Sequence, residues 1–573
     1  MNDVIVKAEN LRYKYKDSGE FIIQNHDFLI NKGEVIGIIG PNGAGKTTLC
    51  LAIKGIIPHK LGGKWGGTLT VCNTDVSNSS ISNLSKYVAM TFQNPETQIV
   101  GTTVEEDLAF MPENLGIKPE IINKKIDYFM DIVGLPRNYK KRAPFNMSGG
   151  EKQRLAIASS LIAEPELIIL DEPTTELDPV GKLEVIKVVQ NIVKDGNSTF
   201  IVIEQDLDNI INIADRLFVI VDGRIALQGP TREVLSHASF LEEKQINVSD
   251  VVKLWASTPL KEKYPIFLNT EEASDAINRE IENKRLSISS ISKKIVFNDE
   301  NKNILEIKEL SFKYQDNIVL KNVNLNISKG DFLAILGKNG AGKTTLVKHM
   351  NGLLKPTKGM VILDGVNSET KTVAEMARKV AYVFQNPDHQ IFAQTVEEEI
   401  AFGPRNLGWS EEKIQERVEY ALKACSIDKY RAENPLSLER GLKQLLILAS
   451  VISMDVEVFI VDEPTTGLSR EYKRIIGEVL KELNARGKTI ILVTHDMQFV
   501  AEFAKRAIVI KDGQVNLTGE IREVFSQIKN LEQSSIYPPQ ITLVANKLNF
   551  EFNELPISVE EMLQQMKWRG SNE

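Results

Sequence analysis

Two glycine-rich loops in this chain have the composition and spacing of phosphate-binding sites. Each follows a short apolar run, at 35–39 and 332–336, and opens onto helix-forming residues. In this strand–loop–helix context glycines leave backbone N–H groups free to surround phosphates, a lysine reaches the outer phosphates, and the first threonine hydroxyl can ligate Mg²⁺. The first loop consists of Gly40, Pro41, Asn42, Gly43, Ala44, Gly45, Lys46, Thr47 and Thr48, and the second of Gly337, Lys338, Asn339, Gly340, Ala341, Gly342, Lys343, Thr344 and Thr345. Two such loops in matching context predict two nucleotide-binding sites.

A pair of carboxylates stands downstream of each loop, directly after an apolar run. The pairs are Asp171 with Glu172 and Asp462 with Glu463, and Pro-Thr-Thr follows both. A buried strand would deliver these side chains to the phosphate loop, where the aspartate can hold Mg²⁺ through water and the glutamate can polarise the attacking water. The predicted Mg²⁺ residues are Thr47, Asp171, Thr344 and Asp462. The chemistry predicted here is Mg²⁺-dependent hydrolysis of ATP.

The elements that position these groups occur twice along the chain. Lys46 corresponds to Lys343 and Asp171 to Asp462, so the repeating unit is a whole domain of about 290 residues. Inside each copy, short apolar runs alternate with helical stretches, which predicts an α/β fold with a parallel sheet covered on both faces. The predicted boundaries are a first domain at 1–240, a small appended subdomain and linker at 241–303, a second domain at 304–527, and a C-terminal extension at 528–573.

Composition and charge narrow the function classes. The 573 residues are 42% apolar and 25% charged, as in a folded soluble protein, and the net charge of −8 provides no basic field for nucleic acid. The cysteines Cys50, Cys72 and Cys425 form no close pair, which argues against a disulfide framework or a zinc site and favours a reducing cytoplasm. The sequence has no signal-peptide pattern and no apolar run near the ~20 residues of a membrane helix. We therefore expect any role at a membrane to be exercised from its cytoplasmic face.

With these motifs in place, the sequence resembles the ATP-binding-cassette ATPases over nearly the whole of both domains. The family signature reads Ser148-Gly149-Gly150 within the segment 147–154, and the two carboxylate strands match the Walker B motif. The remaining family positions are the Q-loop glutamines Gln93 and Gln385, a switch histidine at His495, a D-loop at 176–178, and Tyr15 and Tyr314 where the family stacks adenine.

This resemblance implies two tandem P-loop ATP-binding-cassette domains, each with a parallel-sheet core, a helical signature subdomain and a small C-terminal extension. It also implies an intramolecular cassette dimer in which each ATP lies between the Walker motifs of one domain and the signature of the other. Signature residues at a helix N-terminus would present N–H groups and the helix dipole to the γ-phosphate. The implied catalytic residues are Glu172, Glu463, Gln93, Gln385 and His495, and Tyr15, Tyr314, Ser148, Gly149 and Gly150 join the two loops as nucleotide contacts.

The segments that contain the Q-loop glutamines narrow the resemblance to the energy-coupling-factor ATPases, which drive uptake of vitamins and metal ions. Phe-Gln-Asn-Pro begins at 92 and again at 384, and Thr-Val-Glu-Glu begins at 103 and 395. The resemblance implies a peripheral protein of the cell membrane with two kinds of partner, an integral membrane coupling (T) component and a substrate-binding membrane subunit, and no nucleic acid. Fused double ATPases of this size suggest thiamine or its hydroxymethylpyrimidine precursor as the substrate, with a metal ion as the alternative.

Four acids after the Q-loops are the expected docking residues for the coupling component: Glu105, Glu106, Glu397 and Glu398. The other interpretation is a solvated acidic helix face without a partner.

Two other classes also place two cassettes in one chain without membrane spans. Ribosome-associated translation factors would be expected to keep two sound signatures and to carry a basic helical linker, whereas this spacer contains acidic pairs at 242–243 and 271–272. Fused sugar-importer ATPases are a closer alternative, although the repeated Phe-Gln-Asn-Pro segments fit them less well. Co-purification with membrane proteins or with ribosomes would distinguish the importer from the translation factor.

The second domain departs from the family signature. Alignment on Pro435 and on the spacing to Walker B puts Glu439 at the position of Ser148 and Arg440 at that of Gly149. A carboxylate facing the γ-phosphate at roughly 4 Å would cost about 4 kcal/mol at an effective dielectric of about 20. Arginine could offset this charge, but it cannot restore the backbone freedom of glycine.

Two further departures fall on the same composite site. Ser469 stands where the first domain has Asp178, and Gln205 stands where the second domain has His495. A glutamine can hydrogen-bond but cannot become a cation as charge develops. We therefore predict one working site, built on Lys343, Asp462, Glu463, Gln385 and His495 with Ser148, Gly149 and Gly150, and one site that mainly holds nucleotide, built on Lys46 and Glu172.

Overall fold

The computed structural model describes residues 3–16, 18–175, 177–194, 198–289 and 302–569. The chain divides into two compact units, Met1–Asn269 and Thr270–Glu573, with one phosphate loop in each. The appended segment predicted at 241–303 is divided between these units, because the division falls after residue 269. Of the predicted linker, residues 290–301 lie outside the described ranges.

The first unit is built on a six-stranded sheet and a smaller antiparallel one. Its strands are β1 (Val4–Lys14), β2 (Ile23–Asn31), β3 (Val35–Ile39), β4 (Lys64–Val71), β5 (Thr74–Asp75), β6 (Val88–Thr91), β7 (Leu167–Asp171), β8 (Thr199–Ile203), β9 (Arg216–Val221) and β10 (Arg224–Pro230). The large sheet has the order β10-β9-β3-β8-β7-β6, all parallel except β10, and the small sheet has the order β2-β1-β4-β5.

Alternate residues of the central strand β3 face two different cores. Val35 and Ile39 pack among helical residues, whereas Ile36 and Ile38 pack with the small antiparallel sheet. The helices are α1 (Lys46–Ile53), α2 (Ile81–Leu84), α3 (Val104–Asn114), α4 (Pro119–Ile132), α5 (Gly149–Leu161), α6 (Pro179–Lys194), α7 (Thr231–Leu235), α8 (Ala238–Glu243) and α9 (Asp250–Ala256). Burial on both faces explains why β3, β7 and β8 are continuous apolar runs in the sequence.

The second unit repeats this architecture. Its strands are β11 (Leu286–Ile288), β12 (Asn303–Tyr314), β13 (Asn317–Ser328), β14 (Phe332–Leu336), β15 (Lys358–Leu363), β16 (Val366–Asn367), β17 (Val380–Val383), β18 (Val458–Asp462), β19 (Thr489–Val493), β20 (Arg506–Lys511), β21 (Gln514–Glu520) and β22 (Met566–Trp568). Its helices are α10 (Thr270–Glu282), α11 (Lys343–Met350), α12 (Val373–Ala377), α13 (Val396–Asn406), α14 (Glu411–Ala424), α15 (Arg440–Ile452), α16 (Arg470–Ala485), α17 (Met497–Phe503), α18 (Ile521–Ser526), α19 (Ile528–Gln533), α20 (Gln540–Asn546) and α21 (Val559–Gln565). The main sheet has the order β17-β18-β19-β14-β20-β21, which matches that of the first unit strand for strand.

The C-terminal extension packs against the chain that precedes the second cassette. Strand β11 pairs antiparallel with β22, with Leu286 opposite Trp568. Asn278 of α10 accepts a hydrogen bond from the backbone N–H of Asn549 at 2.8 Å and donates to the carbonyl of Lys547 at 3.2 Å. Residues 270–289 therefore belong structurally to the second unit.

The predicted fold class is confirmed. Each unit has a mainly parallel central sheet, and each inserts a group of helices, α3 to α5 or α13 to α15, between two strands of that sheet. Among the described residues, none of the helices has both the length and the apolar character needed to span a bilayer.

Candidate nucleotide-binding sites

Each phosphate loop connects the central strand of its sheet to the first helix that follows. In the first unit, Lys46 Nζ donates to the carbonyls of Gly40 at 2.8 Å and Pro41 at 2.9 Å, so the loop closes around its own lysine. Gly45 has φ 101°, and a Cβ added there would lie 2.6 Å from the Ile22 carbonyl oxygen, so only glycine fits this turn. Burial lowers the pKa of Lys46, although the carboxylates that follow β7 oppose the shift.

The second loop has the same geometry. Lys343 Nζ donates to the carbonyls of Gly337 at 2.7 Å and Lys338 at 3.2 Å. Gly342 has φ 105°, close to the value of its counterpart Gly45. The predicted loop residues therefore form two closed phosphate-type turns, each at the N-terminus of an eight-residue helix.

The residues predicted to hold Mg²⁺ come together beside each loop. Thr47 Oγ1 donates to Asp171 Oδ1 at 3.2 Å, and burial raises the pKa of Asp171 to about 6. In the second unit, burial likewise raises the pKa of Asp462, and its buried Oδ1 has no hydrogen-bond partner among the described residues. A hydroxyl and a carboxylate with an unused buried oxygen are ligands that Mg²⁺ prefers, so this donor set fits the ion.

The glutamate of the first unit is held by three neutral donors. Gln93 Nε2 donates to Glu172 Oε2 at 2.9 Å, Gln205 Nε2 donates to Oε1 at 2.8 Å, and Thr175 Oγ1 donates to Oε2 at 3.1 Å. Glu172 is buried, with 8% of its surface exposed. Both carboxylate oxygens are therefore already engaged by side chains of the protein.

The glutamate of the second unit has different neighbours. His495 Nδ1 lies 2.8 Å from Glu463 Oε2, which unites the predicted catalytic pair. Within the described part of the chain, no hydrogen bond joins Gln385 to Glu463, and the buried hydroxyl of Thr466 has no partner. The structure thus brings together two of the three predicted catalytic groups here and leaves the Q-loop glutamine apart.

A tyrosine that sequence reasoning missed lies next to the second Mg²⁺ position. Tyr382 Oη donates to Asp462 Oδ2 at 2.7 Å, and the equivalent position in the first unit is Met90. Burial first, and the Asp462 charge second, raise the pKa of Tyr382, so its hydroxyl keeps the donated proton. A polar ring in an otherwise apolar strand was the available signal.

The predicted adenine-stacking residues differ in their surroundings. Tyr15 lies at its loop, with its hydroxyl 3.2 Å from Thr48 Oγ1 and its ring edge-to-face with Tyr13 at 5.0 Å. Tyr314 ends β12, packs edge-to-face on Phe312 at 4.8 Å, and is exposed. The open face of Tyr314 is available to a planar base.

The signature of the first unit is a capped helix start. Ser148 Oγ accepts from the Glu151 N–H at 3.3 Å, and the Glu151 carboxylate accepts from the Ser148 N–H at 2.8 Å. Gly150 faces Gly181 with a gap that a Cβ would enter at 3.6 Å from the Gly181 Cα. This arrangement leaves the N-terminus of α5 uncrowded by side chains.

The corresponding helix start in the second unit has different residues and different contacts. Helix α15 begins after Glu439 without a side-chain cap, and the Tyr472 hydroxyl donates to the Glu439 carboxylate. A Cβ added at Gly441 would lie 2.3 Å from the Tyr472 ring, which stands where the first unit has Gly181. The ring therefore covers the glycine that the family signature would expose.

The D-loop positions also differ. Asp178 Oδ1 accepts from the Gly181 N–H at 2.9 Å, whereas Ser469 precedes α16 without a side-chain cap. Glu176, the first residue of the predicted D-loop, lies outside the described residues.

Three of the acids predicted as docking residues are used inside their own unit. Glu106 completes the capping box of α3 with Thr103, Glu105 pairs with Lys141, and Glu397 Oε2 lies 3.7 Å from Arg431 Nε. Exposed apolar side chains also occupy matching positions in the two units: Val100, Phe110 and Phe145 in the first, and Phe392, Phe402 and Leu436 in the second. The Phe145 side chain is the most open of them, at 88% exposure.

Known proteins resemble this chain along nearly its whole length. The family model described as "ABC transporter" matches residues 23–175 and 320–466. A protein of Caldanaerobacter subterraneus subsp. tengcongensis, provisionally named an ABC transporter ATP-binding protein, is 37% identical over 98% of both chains. A protein of Methanosarcina mazei with the same provisional name is 35% identical over 98% of this chain and 97% of its own. A solved structure of cbiO1 from Clostridium perfringens, described as part of the ABC transporter complex cbiONQ, is 35% identical over 41% of this chain and 96% of its own, with a TM-score of 0.38.

Proposed function

This chain belongs to the ABC transporter family, and on that premise we propose that it is the ATP-hydrolysing energy-coupling subunit of a multisubunit membrane importer. Two ATPase domains of the family lie in one chain, and ATP is their substrate. The proposal adds a direction of transport, a peripheral position at the cytoplasmic face of the membrane, and the partners that the energy-coupling-factor resemblance implies. These partners are an integral membrane coupling component and a separate substrate-binding membrane subunit.

The second unit supplies the proposed working site. Lys343 and its loop would bind the phosphates, and Thr344 and Asp462 would hold Mg²⁺, which neutralises charge on the phosphates when bound. Glu463 would orient and deprotonate the attacking water, since its Oε2 lies 2.8 Å from His495 Nδ1 and, within the described residues, accepts no hydrogen bond of good geometry. The resemblance adds Ser148, Gly149 and Gly150 to this site.

The first unit supplies a site that we propose mainly holds nucleotide. Lys46 and its loop have the geometry to bind phosphates, and Thr47 and Asp171 would hold Mg²⁺. Glu172, however, accepts from three neutral side-chain donors, so an attacking water would have to compete with them for the acceptor capacity that remains on this carboxylate. In the arrangement that the family resemblance implies, the altered signature of the second unit would also face this site and hinder hydrolysis there.

The exposed apolar face after each Q-loop is the observation that supports the importer proposal. Phe392 and Phe402 pack edge-to-face at 4.5 Å while both stay exposed, and Phe145 projects almost completely into solvent. Exposed apolar groups at matching positions of both units favour a protein partner. We propose that the membrane coupling component binds these exposed apolar side chains, and not the four acids alone.

The transported molecule is proposed only as a class, a micronutrient such as a vitamin or a metal ion. Thiamine or its hydroxymethylpyrimidine precursor is the specific suggestion that the resemblance supports. Substrate choice would belong to the separate membrane subunit.

Affinity capture of the full chain from its own cells tests the proposal. We expect integral membrane proteins to co-purify with the chain, and Phe145→Ser combined with Leu436→Ser to reduce their recovery by about tenfold or more, since buried aromatic anchors dominate interfaces. Ile318→Ser, at an apolar position on β13 whose exposure is similar to that of Leu436, is the control and should leave recovery unchanged. Capture of ribosomes without membrane proteins would overturn the importer in favour of a translation factor.

A further inference from the structure

Tyr382 lies at the second site but outside the family motifs. It lies on β17, the edge strand next to β18, and pairs in parallel register with Ile460. Its ring packs edge-to-face on Phe384 at 4.8 Å and is half-buried, so the hydroxyl has a fixed position. From that position Oη donates to Asp462 Oδ2 at 2.7 Å, a charge-assisted hydrogen bond of good length.

The first unit shows what the same site looks like without this contact. Met90 occupies the corresponding place on β6, opposite Ile169, and a thioether cannot donate a hydrogen bond. Asp171 Oδ1 accepts instead from Thr47 Oγ1 at 3.2 Å, the hydroxyl that is itself expected to ligate Mg²⁺. Thr344 also interacts with Asp462, as Thr47 does with Asp171, so the difference between the two matching strands is the additional phenol donor on Asp462.

The contact with Tyr382 gives the two oxygens of Asp462 different surroundings. Oδ2 is occupied by the phenol, whereas Oδ1 is buried and has no hydrogen-bond partner in the described chain. A carboxylate fixed through one oxygen loses its rotational freedom, so its other oxygen points in one direction before any ligand arrives. Partners of this kind, which bond a metal ligand without touching the metal, typically change metal affinity by 10- to 100-fold.

We propose that Tyr382 is a positioning residue that orients Asp462 for Mg²⁺ at the second nucleotide site. This inference rests on the proposed function, because it takes from it the assignment of Asp462 to Mg²⁺. It goes further by naming a residue outside the Walker motifs that makes the two sites differ in their use of the metal.

Equilibrium binding of ADP as a function of Mg²⁺ concentration tests this without relying on turnover. The full chain with Lys46→Ala confines the measurement to the second loop. In that background we expect Tyr382→Phe to raise the Mg²⁺ concentration for half-maximal tightening of ADP binding by about tenfold. The ADP affinity in the absence of Mg²⁺ should be unchanged, since the Tyr382 hydroxyl donates to the proposed Mg²⁺ ligand Asp462.

Three further variants make the result specific. Tyr382→Met installs the residue of the first unit and should shift the Mg²⁺ requirement as far as Tyr382→Phe does. Met90→Leu, measured in a Lys343→Ala background, should leave the requirement of the first site unchanged. Asp462→Asn should raise the requirement of the second site by more than either Tyr382 variant.

The outcomes separate the two assignments. A shift with Tyr382→Met but not with Tyr382→Phe would mean that ring packing matters and the hydroxyl does not, which overturns the proposal. A shift with Asp462→Asn but with neither Tyr382 variant would also overturn it, while the Mg²⁺ assignment of the proposed function would stand. If Asp462→Asn itself left the Mg²⁺ requirement unchanged, the assignment of Asp462 would fail, and the role of Tyr382 would fail with it.

Discussion

The carboxylates of Glu172 and Glu463 follow equivalent strands with nearly the same backbone conformation, φ 48° and 49°, yet they have different neighbours. Glu172 accepts from two glutamine amides and a threonine hydroxyl, whereas Glu463 lies against one imidazole nitrogen. The NH₂ group of an amide donates but, unlike an imidazole nitrogen, does not take up a proton, so it stabilises the anion without assisting proton transfer. Identical strand and loop geometry therefore does not produce identical chemistry; the partners of the carboxylate decide what it can do.

The two signature helices extend the comparison. The first unit pairs Gly150 with Gly181, whereas the second packs Tyr472 over Gly441 and bonds its hydroxyl to Glu439. Two departures in the second unit, Glu439 and Tyr472, are thus in direct contact beside Gly441. Independent drift at each position would not be expected to produce mutually supporting contacts.

The strongest test of the comparison exchanges each glutamate for its amide. We expect Glu463→Gln to lower ATP hydrolysis by the chain, captured with its membrane partners, roughly a thousandfold, because a positioned base is lost. Glu172→Gln, the matched variant, should change the rate less than about threefold. Equal losses in steady-state hydrolysis would show that both sites turn over and would break the proposed division.

A second test uses a buried carboxyl that only the first unit has. Glu204 accepts from Thr174 Oγ1 at 2.9 Å, and burial raises its pKa to about 8, whereas Thr494 stands at this position in the second unit. Because the folded state binds this proton more tightly than the unfolded state, stability is highest below about pH 4.5 and falls as pH rises through about 8, by roughly 1.4 kcal/mol per pH unit at most.

Glu204→Gln should remove this pH dependence. Hydrogen exchange of the β8 amides measures the local free energy of opening, and the β19 amides of the second unit serve as the internal control. Parallel pH profiles of β8 in the wild type and in the variant would contradict the assignment of this proton to Glu204.

A third test exchanges the switch residues. His495→Gln copies the first unit into the second and should lower hydrolysis between about tenfold and a hundredfold, since the amide cannot become a cation as charge develops. Gln205→His makes the reverse change and should alter the rate less than about twofold, because the altered signature of the second unit is untouched. A large increase in the hydrolysis rate with Gln205→His would show that Gln205 alone keeps the first site from hydrolysing ATP.

The smallest expected effect concerns the helix starts. Ser148→Ala removes a capping box and should cost about 1 kcal/mol of local stability in α5, whereas Glu439→Ala removes an exposed contact and should cost less than about 0.5 kcal/mol in α15. Amide exchange in the two helices compares them directly. A larger loss of local stability in α15 than in α5 would mean that the hydrogen bond between Glu439 and Tyr472 stabilises the fold.

Features that depend on neighbours in the chain could be predicted from the sequence. The phosphate loops are set by glycines and a lysine within nine residues, and the carboxylates by a strand directly before them, so their pairing beside the loop follows from the parallel sheet. The docking acids show the limit of this reasoning. The sequence analysis predicts Glu106 as a surface charge that binds a partner. Glu106 also stands three residues after Thr103, the spacing of a capping box, and in the structure it caps α3.

The sequence by itself determined the α/β class, the duplication, both nucleotide loops and the positions at which the second copy departs from the first. Only the tertiary structure decided what those departures do, because the deciding contacts join residues far apart in the chain. Tyr382 reaches Asp462 across 80 positions, and Gln93 reaches Glu172 across 79. Hydrogen bonds of this kind depend on strand register and rotamer, which no local pattern of residues specifies, and so the difference between the two sites becomes visible only once the sheets are formed.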